Sequence, residues 1–62
     1  MRIFNPEATY RVETVGRRKI TYKKFKNEHS LNLFGNTWAN KTRCSVYIIE
    51  CGHPKNSWHF AR

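Results

Sequence analysis

Leucine is scarce among the apolar residues of this chain: Leu31 and Leu33 stand against four Phe, three Tyr and two Trp. Val12, Val15, Val46, Ile3, Ile20, Ile48 and Ile49 supply branched bulk. Aromatic and β-branched side chains suit the half-buried surface of a pleated sheet. The fold expected is therefore mainly β. A chain of 62 residues buries only about 60% of its unfolded surface, so most of these rings are needed in the core and a roomy internal pocket is not expected.

Residues 8–15 and 19–25 read as two strands of a hairpin whose loop is Gly16, Arg17 and Arg18. A two-residue loop would set Tyr10 against Lys23 and Val12 against Thr21, mixing apolar and charged residues on each face. A three-residue loop groups Tyr10, Val12 and Thr14 with Ile20 and Tyr22, and leaves Arg11, Glu13, Lys19, Thr21, Lys23 and Phe25 on the other face. Because one buried face is what fixes strand pairing, the second register is expected.

Residues 42–51, apolar on nearly both faces, read as a central strand. Trp38 and Ala39 form a candidate partner strand, and Trp58, His59 and Phe60 alternate again after a loop at residues 52–56. Residues 26–36 read as a short strand or irregular turn, or alternatively as one helical turn over residues 30–35, capped by Ser30 and ended by Gly35. Pro6 sets residues 1–6 apart as an extended arm. No repeat or linker divides the chain, which reads as one domain over residues 1–62. The expected architecture is a small antiparallel sheet or partly open barrel of four to five short strands, SH3-like or OB-like. Its core should hold Tyr10, Val12, Tyr22, Val46, Ile48 and Trp58.

Twelve Lys and Arg against four acidic residues give a net charge of +8. Such an excess favours anionic partners and nucleic acid in particular. Arg17, Arg18, Lys19, Lys23, Lys24 and Lys26 lie close together in sequence, and Arg11 joins them on the solvent face of the expected hairpin. Phe25 either offers that face a stacking ring or turns inward. The function expected is non-enzymatic nucleic-acid binding through phosphate contacts from this hairpin. The alternative is a small regulatory or inhibitory protein that covers an acidic surface of a larger one.

Cys44, Cys51, His53 and His59 are the residues from which a zinc site could be built. Structural zinc sites usually begin with two Cys separated by two to four residues, a spacing that Cys44 and Cys51 do not have. On one strand their odd offset would point the thiols to opposite faces, about 23 Å apart, so neither a shared metal nor a disulfide is expected. Glu7, Glu13, Glu28 and Glu50 do not cluster in sequence as two-metal chemistry requires. A metal-independent ribonuclease is a third reading, with His53 and His59 beside Lys55 and Arg62, or His29 beside Lys26, as acid, base and phosphate ligands. Gly16, Gly35 and Gly52 are scattered as turn residues and make no phosphate-binding loop, so no cofactor is expected. No run approaches the ~18 apolar residues of a membrane span, and Met1 does not lead into a signal-peptide core, so no membrane partner and a cytoplasmic location are expected.

Overall fold

The computed structural model describes residues 3–61. Strands β1 (Tyr10–Thr14) and β2 (Ile20–Lys23) precede helix α1 (Glu28–Thr42), and β3 (Val46–Glu50) and β4 (Ser57–Phe60) follow it. The strands form one antiparallel sheet in the order β2-β1-β3-β4. The chain is mainly β, and its sheet does not close on itself.

Residues directly opposite in an antiparallel pair share a face, so the register identifies what lies under the helix. Val12 faces Ile48, which faces Trp58, and Val46 lies between Thr14 and Phe60. These residues, Tyr10, and Leu31 and Ala39 of α1 are all buried. Tyr10 is the hub of the core. Its ring stacks on Phe4 and meets Phe25 and Trp58, while its hydroxyl accepts from the Asn5 N–H and donates to the Asn5 carbonyl. Asn56 is buried too, and its side chain joins the β3–β4 turn to Ile3 and to the Glu50 carboxylate.

The helix corrects the strand or turn expected at residues 26–36 and the strand expected at Trp38 and Ala39. Its N-cap is Asn27 rather than Ser30: the Asn27 side chain accepts the Ser30 N–H at 2.8 Å. Gly35 is interior to the helix, not its end. A Cβ there would overlap the Phe60 ring, so this glycine serves close approach of helix to sheet. Leu31, Phe34, Gly35, Trp38 and Ala39 recur at three- and four-residue intervals, which puts them on one helical face. Arg43 ends the helix in the left-handed conformation, at φ 57°.

The hairpin register is also corrected. Tyr10 pairs with Lys23, Val12 with Thr21 and Glu13 with Ile20, which is the register rejected on grounds of burial. Residues Thr14 to Arg17 form a turn in which Gly16 takes φ 86°, and the Val15 N–H goes to the Ser45 carbonyl instead of to β2. Tyr22 is consequently 61% exposed and leaves the core, whereas the other five residues expected there are buried. The reason lies in the helix, which packs chiefly on β3 and β4. Edge strand β2 has no face that the helix must cover, so burial does not choose its register.

The strand expected over residues 42–51 is shorter. Cys44 and Cys51 fall just outside β3 at its two ends as free thiols. The expected arm lies partly on Met1 and Arg2, outside the described residues, and a turn from Asn5 to Ala8 follows it.

Two outcomes test this packing. Gly35→Ala should destabilise the protein although alanine is the better helix former, because overlap with the Phe60 ring puts overpacking in the upper part of its usual range, about 2–3 kcal/mol, against about 1 kcal/mol of propensity gained. Thermal unfolding should therefore come roughly 5–10 °C lower, and an unchanged or higher midpoint would contradict the close approach. Burial raises the Tyr10 phenol above its ordinary value, the Asn5 hydrogen bond opposes this, and Glu50 and Glu28 add to the rise. The unfolded chain gives up that proton first, near pH ~10, so the contribution is whole below that pH and is lost as pH rises through the higher folded value. Urea midpoints measured above pH ~10 should fall less steeply in Tyr10→Phe than in the parent.

Candidate nucleic-acid interface

The corrected register divides the basic residues between the two faces of the sheet. Arg11 lies opposite Tyr22 on the face away from α1, and its guanidinium pairs with Glu13 at 2.9 Å. Lys23 lies on the helix side, where its ammonium sits 4.8 Å from the centre of the Phe34 ring. The Lys24 ammonium donates to the Glu7 carbonyl, and Lys26 is exposed. Phe25 takes the inward alternative. At 6% exposure it packs among Tyr10 and Phe34 and is no platform for a ligand. The single patch expected from Arg11 through Lys26 is therefore not formed as one surface.

What the fold brings together is Arg17 and Lys19 of the hairpin with Lys41 of the helix. They line a cleft of about 280 Å³ with Thr14, Thr21, Trp38 and Thr42. The cleft exists because β2 extends past the cover of α1, leaving a gap between the strand and the last helical turns. Three cations and three threonine side chains surround it, and among the described residues no carboxylate lines it. Trp38 forms an aromatic wall: its ring stacks on Phe34, its indole N–H donates to the Thr14 hydroxyl at 3.1 Å, and Lys41 lies 5.9 Å from its centre. Arg18 is exposed at the hairpin tip beside the cleft.

The carboxylates lie elsewhere. Glu50 pairs with Tyr10 at the far end of β1, Glu28 accepts the Trp58 indole N–H there, and Glu7 precedes the same strand end. Arg17, Arg18, Lys19, Lys41 and Arg43 belong to the opposite end, where the hairpin tip meets the helix C-terminus through the Val15–Ser45 hydrogen bond. Lys41 also stands where the helix dipole favours a cation. Positive charge is thus densest at the hairpin tip, whereas Lys23, Lys24, Lys26 and Lys55 at the Tyr10 end stand with Glu7, Glu28 and Glu50. Of the described carboxylates only Glu13 approaches the basic end, and Arg11 pairs with it.

Sequence reasoning gives Lys41 no role and places Trp38 in a strand, so it does not find the cleft. The three- and four-residue recurrence from Leu31 to Ala39 is the signal that finds both residues. Of the residues considered for ribonuclease chemistry, His53 and Lys55 lie in the β3–β4 turn, and His59 stacks on Tyr47 with ring centres 4.4 Å apart. His29 is in the first turn of α1 and Arg62 lies outside the described residues. Among the described residues no three of His, Cys, Asp or Glu come together as a metal would need, and no helix is long and apolar enough to cross a membrane.

A cleft lined by cations predicts weak binding of small oxyanions. On titration with inorganic phosphate, the Trp38 indole N–H resonance should shift while that of Trp58, buried in the core and bonded to Glu28, stays in place. Lys41→Ala should abolish the shift, and equal movement of both indoles would argue against a localised site. Compared with known proteins, the chain matches no family model, no curated protein and no solved structure, so the candidate interface is defined by these side chains alone.

Proposed function

We propose that this chain binds nucleic acid without catalysing a reaction, and that phosphates engage its basic end. The observation that carries the reading is the gathering of Arg17, Arg18, Lys19 and Lys41 at one end, around a cleft that no carboxylate of the described residues lines. Guanidinium and ammonium groups donate charge-assisted hydrogen bonds to phosphate oxygens, and the exposed Thr21 hydroxyl adds a neutral one. The hairpin projects these groups beyond the body of the sheet, where a phosphate chain can reach several of them together. Arg17 and Arg18 sit on a turn whose conformation is set by Gly16 and the Val15–Ser45 bond, so the backbone that carries them is held in place.

Salt dependence tests the mechanism. If those four side chains each neutralise one phosphate, the logarithm of the association constant should fall with the logarithm of salt at a slope near −3.6 on duplex DNA, a loss of about 150-fold between 50 and 200 mM. Replacing Arg17 and Arg18 together by Ala should flatten that slope by about 1.8. Thermal stability should change little, because exposed charges contribute little to folding. Absence of nucleic-acid binding, with capture of an acidic protein through the same side chains, would put a regulatory or inhibitory role in its place.

A further inference from the structure

Among the described residues, nothing covers one face of the sheet. The side chains of β1 to β4 that point away from α1 form two cross-strand rows: Tyr22, Arg11, Ile49 and Ser57 in one, Ile20, Glu13, Tyr47 and His59 in the other. Ile20, Tyr22 and Tyr47 are exposed, Tyr22 at 61% and Tyr47 at 39%, and His59 is exposed and stacked on Tyr47. A shallow groove of about 390 Å³ runs beside Tyr22 over Arg11 and Ile49 and is bounded by Gly52 and Pro54 of the β3–β4 turn. The row with Tyr47 and His59 is the one next to the hairpin tip, and hence next to the basic end.

Resting on the proposed binding of nucleic acid at that end, we infer that the uncovered face receives unpaired bases of a single strand, stacked on Tyr47 and Tyr22. Rings standing on a sheet can meet the face of a base only where the base is not stacked in a duplex. Tyr22 and Tyr47 lie two strands and one row apart, about 12 Å between backbones, so each takes its own base. Arg11 stands between the two rings, within reach of the strand that links those bases. Charge selects this occupant over a second copy of the chain, which would bring its own +8 against the face. The Arg11–Glu13 pair makes the centre of the face nearly neutral, which suits bases, while the neighbouring arginines and lysines hold the phosphates.

The test compares binding of a labelled mixed-sequence oligonucleotide of about 16 nucleotides with binding of its duplex, by fluorescence anisotropy at fixed salt. The single strand should bind more tightly. Tyr47→Ala and Tyr22→Ala should each weaken single-strand binding roughly 5- to 140-fold, the range expected for one lost stack, and leave duplex binding unchanged. Tyr47→Phe should restore the affinity, and the salt slope should be the same in all three variants. Glu13→Gln, by releasing Arg11, should tighten binding and steepen the single-strand slope by up to about 0.7. If Arg17→Ala/Arg18→Ala flattens the slope but the tyrosine variants bind as the parent does, the stacking inference is overturned and the basic end stands. If the parent binds neither strand nor duplex, both are overturned.

Discussion

The close approach of α1 to the β3–β4 half of the sheet is the constraint from which the other features follow. Gly35 lets Phe60 lie directly against the helix backbone, and Leu31 and Ala39, one helical turn to either side, complete the contact. A helix held there is off-centre on a four-stranded sheet. It cannot cover β2, so that strand is exposed along most of its length. The cleft beside Trp38 and the placement of Lys23 at the Phe34 ring follow from that displacement, whereas Tyr22 is exposed because it points away from the helix.

Burial and charge divide the molecule along perpendicular directions. Across the sheet, a dry aromatic core on the helix side faces an open surface of tyrosines and isoleucines on the other. Along the strands, Glu7, Glu28 and Glu50 offset the lysines at the Tyr10 end, whereas the cations at the hairpin tip have only Glu13 near them among the described residues. Most of the acidic groups have structural duties: Glu50 holds Asn56, Glu28 accepts from Trp58, and Glu13 meets Arg11. The cations at the tip have few such duties. Positive charge is thereby densest at the hairpin tip, where it can steer an anionic partner.

Much of the fold was legible in the residues. Alternation in β1 and β4 and the apolar run of β3 placed three strands, and the same alternation identified Tyr10, Val12, Val46, Ile48 and Trp58 as core. The helix was missed because Gly35, Asn36 and Asn40 resemble turn residues; asparagine and glycine report local preference, whereas here packing against Phe60 decided. The register of β2 was missed for a related reason. Maximising burial is a sound rule for a strand under a helix, but nothing in a sequence reveals which edge strand the helix leaves bare. The candidate site was legible in part. Arg17, Arg18 and Lys19 could be found from their spacing, while Lys41 and Trp38 meet them only through tertiary contact.

The bareness of β2 has a further consequence for the protein in a crowded solution. An edge strand with one row of unpaired backbone groups and apolar residues such as Ile20 and Tyr22 is a template for strand addition by another copy. Lys19 and Lys23, flanking and ending that strand, oppose such pairing by repulsion and by the cost of desolvating an ammonium group. Lys19, one of the side chains proposed to attract a polyanion, thus also helps keep one molecule from extending the sheet of the next. Solubility and recognition meet in that charge, and a change that neutralises it acts on both.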